Sequence, residues 1–264
     1  MSKFTRRNFL AAVVAAALSL SLTACGSEPA EKITSIDQLY EGKTIGVQLG
    51  TTSDQFATDD FGADNVEKYS KSADAVQALK TGKIDAVIVD NEPAKRFVEA
   101  NPDLMLLETP YADEDYSICL AKGSELTAQF NDAIAQLREN GTMDAILDKY
   151  LNGIEGAEGY VTPAGTEHPN GTLTMATNAA FPPYEYYEGD NIVGLDIEFA
   201  TAICDILGYE LVVEDMEFDA IIPAVSSGKA DFGAAGMTVR PDRLESADFT
   251  DSYCTGVQSV IVKK

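Results

Sequence analysis

The sequence predicts an α/β fold of two similar units, each a mainly parallel sheet with helices on both faces. Three observations carry this. Runs of β-branched residues alternate with helix-period stripes along nearly the whole chain. The phrase Ala78-Leu-Lys-Thr-Gly-Lys-Ile-Asp-Ala is echoed by Ala224-Val-Ser-Ser-Gly-Lys-Ala-Asp-Phe; each reads as a helix ending at Gly, then Lys, then a strand opening on x-Asp. Between the halves, residues 153–171 hold five Gly and two Pro with no period, which marks a flexible linker.

The elements follow in order. Thr44–Gln48 reads as a buried strand and Ser53–Asp60 as a helix after the turn Gly50-Thr51-Thr52. Ala73–Lys80 is a helix stopped by Gly82. Ile84–Val89 is a strand, followed by a helix over Glu92–Glu99, a strand near Leu104–Leu107 and another over Tyr116–Ala121. One helix then aligns Leu126, Phe130, Ile134 and Leu137 and stops at Asn140-Gly141. The next sets Met143, Ile146, Leu147, Tyr150 and Leu151 at i, i+3, i+4, i+7 and i+8. Both stripes are expected to be core. Past the linker come strand Thr172–Thr177, helix Leu195–Leu207 closed by Gly208, and strand Glu210–Glu214. Helix Asp219–Ser226 closed by Gly228, strand Asp231–Ala235 and terminal strand Gly256–Lys263 complete the chain.

Composition excludes whole classes of function. The 264 residues carry 43 Asp+Glu against 19 Lys+Arg, a formal charge of −24, with 45% hydrophobic residues. That balance is globular, and its acidity argues against nucleic acid or anionic lipid as the main partner. A single histidine, His168 among Pro, Gly and Thr, excludes His-based triads and multi-His metal sites. No metal or cofactor is expected.

The acidity is uneven. Residues 1–24 hold Lys3, Arg6 and Arg7 and no acid, leaving −27 for the rest. The basic start, the apolar run Phe9–Leu22 and small residues after it have the order of an export signal. About 14 apolar residues fall short of the roughly 20 that span a bilayer. Leu22-Thr23-Ala24-Cys25 resembles the bacterial lipobox, which implies Cys25 as the lipidated first residue of the mature chain, followed by a short polar tether to Lys32. Thr5-Arg6-Arg7-Asn8-Phe9-Leu10 resembles the twin-arginine export motif. Cys119, Cys204 and Cys254 form an odd set without metal-ligand spacing; Cys204 falls on an apolar helix face, and export permits a Cys119–Cys254 bridge without requiring it.

Several motifs in register carry a resemblance to a family. Ala176-Thr-Asn-Ala-Ala-Phe-Pro-Pro-Tyr-Glu-Tyr, Gly194-Leu-Asp-Ile-Glu, Phe218-Asp-Ala-Ile-Ile-Pro-Ala, Gly236-Met-Thr-Val-Arg-Pro-Asp-Arg and Asp248-Phe-Thr resemble the first half of a polar amino-acid-binding protein of an ABC importer. Gly46-Val-Gln-Leu-Gly-Thr-Thr-Ser, Gly82-Lys-Ile-Asp-Ala-Val-Ile-Val-Asp and Leu137-Arg-Glu-Asn-Gly-Thr-Met-Asp-Ala-Ile resemble its second half. The resemblance implies a type II periplasmic-binding-protein-like fold, two α/β lobes around a ligand cleft. The halves are exchanged relative to the family, so the chain reads as a circular permutant. Residues 1–24 are then a signal, 25–32 a tether, and 33–114 the family's second lobe. Residues 115–152 are the C-terminal part of its first lobe, 153–171 the linker, and 172–264 the N-terminal part of the first lobe, ending in a hinge strand. A fragment of a tandem receptor and a domain-swapped oligomer are the competing readings; the linker, with a root-mean-square reach of roughly 24 Å, favours a monomer closed on itself.

The resemblance also implies a site. A free amino acid presents a carboxylate and an ammonium, each costly to bury unpaired. Arg243, a guanidinium fork suited to two oxygens, would take the carboxylate with Thr238 and, from the other lobe, Thr52. Asp90 would take the ammonium with the Gly236 carbonyl, although an Asp at a strand end also serves as a helix cap. Phe181 and Phe218 would flank the side chain, with Gln48, Asn178 and Ala235 setting specificity. Asn178 stands where many relatives have Asp, and Val89 replaces a polar residue of glutamine-type relatives, so arginine, glutamine and cystine all stay open. The implied partners are a free amino acid, an ABC permease and, through the lipid anchor, the outer side of the cytoplasmic membrane. The rival class is a dehydratase of the same fold, for which Glu185 and Asp90 are the candidate acids.

Overall fold

The structure, a computed structural model, describes residues 32–264; Cys25, the basic start and the apolar run lie outside the described residues. After a 3-10 turn at Ile36–Tyr40 the first half runs β1 (Ile45–Gln48), α1 (Thr52–Phe61), β2 (Val66–Tyr69), α2 (Ser72–Thr81), β3 (Ala86–Asp90), α3 (Asn91–Ala100), β4 (Leu104–Leu106) and β5 (Ala112–Tyr116). Next come β6 (Cys119–Ala121), α4 (Leu126–Glu139), α5 (Thr142–Tyr150), β7 (Thr172–Thr177) and a small antiparallel sheet of β8 (Ala180–Phe181), β9 (Glu185–Glu188) and β10 (Asn191–Val193). The chain ends with α6 (Leu195–Leu207), β11 (Glu210–Asp215), α7 (Ile221–Ser226), β12 (Phe232–Gly233), α8 (Pro241–Leu244), β13 (Ala247–Phe249) and β14 (Cys254–Lys263).

Two main sheets share one plan. The first has the order β2-β1-β3-β14-β4, with β5 also on β14; the second has the order β11-β7-β12-β6-β13. In each, the first three strands are parallel and the next is antiparallel, donated by the other half of the chain. Helices bury both faces. Ile45, Val47, Ile88, Val260 and Val262 pack with Phe61 of α1 on one side of the first sheet, while Val87, Val89 and Ile261 pack with Val76 and Leu79 of α2 on the other. In the second, Leu173, Met175 and Phe232 meet Phe130, Ile134, Ile146, Phe199 and Ile203, and Ala176 and Ala235 meet Ile221 and Val225. Each stripe expected to be core is inward-facing, as period-3.6 apolar spacing requires. Mixed α/β architecture is therefore the observed class, in the two-sheet form that the resemblance implies.

The echoed phrase has a structural meaning. The Lys83 N–H donates to the Ala78 carbonyl at 3.0 Å, and the Lys229 N–H to the Ala224 carbonyl at 2.9 Å, closing both helices through left-handed Gly82 and Gly228 (φ 76° and 75°). The following aspartates then do identical work. Asp85 Oδ2 accepts from the Thr44 N–H at 2.8 Å and Asp231 Oδ2 from the Thr174 N–H at 2.7 Å, each fixing the middle one of its sheet's three parallel strands.

Two expectations are corrected, the single strand over 116–121 and the free linker, and two further points find their place. The strand expected over Tyr116–Ala121 is two strands, β5 and β6, because at Ser117-Ile118 the chain leaves one sheet for the other. The terminal strand, expected as a hinge strand at the end of 172–264, is hydrogen-bonded within the first sheet, where Val260, Ile261 and Val262 are buried between β3 and β4. Cys119 and Cys254 are both buried free thiols: Cys119 packs with Ile221 on one face of the second sheet and Cys254 with the core on the other. The linker is not a free tether. Tyr160 donates its hydroxyl to Asp205 at 2.8 Å and its N–H to Glu198 at 2.8 Å, His168 Nε2 pairs with Asp205 at 2.8 Å, and Asn170 donates to the Leu207 carbonyl at 2.7 Å, all on α6. Among the described residues no helix is long and apolar enough to cross a membrane.

Candidate functional site

The C-terminal ends of β1 and β3 in the first sheet and of β7 and β12 in the second converge on a cleft. Strand C-terminal ends are where open α/β sheets bind ligands, because helix N-termini and loops collect there. Of the ten residues expected at the site, eight line this cleft: Gln48, Thr52, Asp90, Asn178, Phe181, Phe218, Ala235 and Gly236. Thr238 and Arg243 do not. Thr238 lines a neighbouring groove that shares Glu114 with the cleft, and its buried Oγ1 has no hydrogen-bond partner.

Arg243 stands just behind the wall. It lies in the short helix α8, is 4% exposed, and holds its guanidinium carbon 5.4 Å from the centre of the Phe218 ring. Its Nη1 donates to the Thr238 carbonyl at 2.7 Å and its Nη2 to the Gly50 carbonyl of the opposite unit at 3.0 Å. Among the described residues it makes no ion pair, so a buried cation with five donors rests on backbone carbonyls alone. Burial, helped by neighbouring Arg240, pulls its pKa down to about 10. Across from it, Thr51 caps α1 by accepting from the Asp54 N–H, and Thr52 and Ser53 of that first turn line the cleft.

The opposite pole is acidic. Asp90 ends β3, is 1% exposed, and is at once a helix cap and a cleft residue: Oδ1 accepts from the Glu92 N–H at 2.9 Å and Oδ2 from the Tyr116 hydroxyl at 2.5 Å. Burial raises its pKa to about 6, and Glu114 and Glu92 push the same way. No cation pairs with it among the described residues. Gly236, with φ 52°, lies so close to Phe181 that a Cβ there would meet Phe181 Cε1 at 2.9 Å. Its N–H donates to Asp196 Oδ2 at 2.9 Å, and the Tyr253 hydroxyl donates to the same oxygen at 2.8 Å.

The third wall holds acceptors. Gln48 Nε2 donates across the cleft to Asn178 Oδ1 at 2.9 Å and to the Ser70 carbonyl at 3.0 Å, while its Oε1 accepts from the Ser72 hydroxyl at 2.9 Å. Asn178 Nδ2 is taken by the Met216 carbonyl at 2.8 Å. Phe181 stacks on Tyr184 with ring centres 5.3 Å apart. Glu185, also in the cleft lining, is buried against Asp196, and burial lifts its pKa well above the usual carboxylate range.

Sequence reasoning missed Ser53, Ser72, Glu114, Tyr116 and Gln258, all of which line the cleft. Gln258 had a readable signal, a large polar side chain which, with Ser259, interrupts the apolar run from Val257 to Val262. Among the described residues no group of three or more His, Cys, Asp or Glu could hold a metal ion.

Comparisons with known proteins agree on a family. The arginine-binding extracellular protein ArtP of Bacillus subtilis (strain 168) is 43% identical over 101 residues, 38% of this chain and 40% of that protein. The L-cystine-binding protein TcyJ of Escherichia coli (strain K12) is 32% identical over 113 residues, 42% of each chain. The chain thus spans about two fifths of the length of these relatives. A solved structure described as an ancestral arginine-binding protein bound to glutamine is 43% identical, with a TM-score of 0.30, covering 30% of this chain and 36% of that one. Residues 173–264 match the sequence profile of the bacterial extracellular solute-binding proteins, family 3. Over that segment the chain is similar to a family of solute-binding proteins, and the relatives named above are binding proteins.

Proposed function

We propose that the protein binds a free polar amino acid as its zwitterion in the cleft between the two sheets, and delivers it to an ABC permease. One observation carries this reading. Arg243 and Asp90 are opposite charges from opposite units, each over nine-tenths buried, and neither is ion-paired among the described residues. Buried charges without partners are costly, and a zwitterion supplies a partner to each at once. The carboxylate would meet Arg243, the first turn of α1 and the free Thr238 hydroxyl, displacing the guanidinium from the Gly50 carbonyl; the ammonium would meet Asp90.

Both amide hydrogens of Gln48 and one of the two of Asn178 are already used, so the side-chain end of the cleft offers more acceptor than donor capacity. That favours a ligand side chain that donates hydrogen bonds, with arginine first, as the names of the most similar relatives suggest. Ligand capture would stabilise the closed arrangement, in which Gln48–Asn178 and Arg240–Thr51 already bridge the units, the ligand carboxylate taking over from the Gly50 carbonyl at Arg243. The raised pKa of Glu185 is explained by its burial, with Asp196 beside it adding to the rise, and needs no catalytic role.

The same reading includes the circular permutation and monomeric closure. In its support, each sheet takes one antiparallel strand from the other half of this chain, and each relative named above is matched over less than half its length. It also includes the export signal and the lipid anchor at Cys25. Thermal shifts against the twenty amino acids plus ornithine and cystine test it, since a ligand that binds only the native state raises its stability. A shift confined to one or a few polar amino acids is expected; a flat panel would refute the reading.

A further inference from the structure

Glu114 is the acid in the cleft that neither the resemblance nor the motif positions point to. It lies on β5, whose alternation sends Glu114 and Tyr116 to the buried face. Register fixes its neighbours. On β14, Gln258 is opposite Asp90 of β3, and Gly256, two residues earlier, is opposite Glu114. Asp90, Gln258 and Glu114 therefore share one face of the sheet, the face that lines the cleft. Gly256 leaves room for the Tyr116 ring, since a Cβ there would lie 2.4 Å from Tyr116 Cζ.

The carboxylate is held by one oxygen only. Glu114 is 7% exposed; its Oε2 accepts from Gln258 Nε2 at 2.5 Å, and Gln258 in turn accepts from the Ser53 hydroxyl of α1. Its Oε1 is buried with no hydrogen-bond partner, and no cation pairs with it among the described residues. Leaving a buried carboxylate oxygen bare beside a second buried carboxylate is unfavourable unless a cationic donor arrives. Resting on the proposed function, we propose that Glu114 is a second carboxylate for the ligand's α-ammonium, acting beside Asp90 so that the bound amino group is held by two acids. Gln258 and Ser53 are positioning residues that fix Oε2 and leave Oε1 for the ligand.

The test is calorimetric titration of the wild type, Glu114→Gln and Glu114→Asp with L-arginine and L-glutamine and with the des-amino analogue of each. Glu114→Gln should weaken the amino acids by about 10- to 100-fold and leave the analogues within a factor of about three, with partial recovery in Glu114→Asp. Amino-acid binding unchanged in Glu114→Gln, or an equal loss for amino acid and analogue, overturns the proposal while the proposed function stands. Where the thermal-shift panel identifies another amino acid, that ligand and its des-amino analogue replace arginine and glutamine; a wild type that binds no amino acid of the panel overturns both. Should Glu114→Gln fail to fold, Glu114→Asp carries the same comparison, because a shortened carboxylate must still penalise only ligands with the amino group.

Discussion

Tyr116 donates its hydroxyl to Asp90 Oδ2 at 2.5 Å, so the carboxylate that ends β3 is fixed by the strand that carries the chain from one sheet to the other. The Glu92 N–H holds Oδ1. A carboxylate pinned on both oxygens before the ligand arrives needs little reorganisation to bind an ammonium. Its pole of the cleft thus depends on the crossing point as well as on its own sheet.

The raised pKa of Asp90 gives opposite pH trends for the free and the bound protein. An acid whose folded pKa, about 6, exceeds its ordinary 3.8 adds stability that is fully present below 3.8 and is lost as pH rises through 6. Asp196 behaves alike, also for reasons of burial. The ligand-free protein should therefore be more stable at pH 5 than at pH 7, by about 1 kcal/mol per group. The ligand needs ionised Asp90, so the melting increment it adds should shrink below pH 6. An increment that stays constant from pH 7.5 to 5 would contradict the ammonium role.

Asp90→Asn separates capping from binding. Asparagine caps helices about as well as aspartate, so α3 should persist and urea denaturation should show no loss of ligand-free stability. Amino-acid affinity should fall by about 10- to 100-fold in calorimetry.

Arg243→Lys keeps the charge and loses the planar fork. Affinity should drop at least about tenfold in Arg243→Lys, and by a few kcal/mol in Arg243→Ala. Titration of both variants with the ligand from the thermal-shift panel checks this; affinity equal to the wild type in Arg243→Ala would remove the residue from the site.

Gly236→Ala should cost about 1–2 kcal/mol in chemical denaturation, because a left-handed φ of 52° strains any side chain and the new Cβ must push Phe181 aside. Ligand affinity should fall with it, since Phe181 is part of the cleft wall.

The docked linker predicts a protease phenotype. Glu198 accepts from the Tyr160 N–H and the Tyr150 hydroxyl and Asp205 holds the Tyr160 hydroxyl and His168, so the double variant Glu198→Ala/Asp205→Ala should loosen residues 153–171 from α6. Limited proteolysis should then cut within that segment faster than in the wild type, with the rest of the chain equally resistant.

What could be read in the sequence was what local chemistry controls. Helices stopped by Gly82, Gly208 and Gly228 end at those glycines, and the echoed Gly-Lys-x-Asp phrases build matching corners. The small sheet of β8 to β10 was not legible, since strands of two to four residues around Pro182-Pro183 carry no period. Glu114 escaped because β5, Ala-Asp-Glu-Asp-Tyr, is almost wholly polar; only its pairing with β14 makes it a strand. The linker looked free because its anchors, Tyr160, His168 and Asn170, bond to acids and carbonyls of a helix distant in sequence. Arg243 was found by its motif, yet its rest on Gly50 depends on how the two units meet.

Calorimetric titration of the mature chain, with its mass in solution measured before and after saturation, probes the two-lobed receptor most directly. One polar amino acid bound per chain, in a species that stays monomeric throughout, is the expected result. No binding of any amino acid in the panel, or binding only in a dimer or larger species, would contradict it.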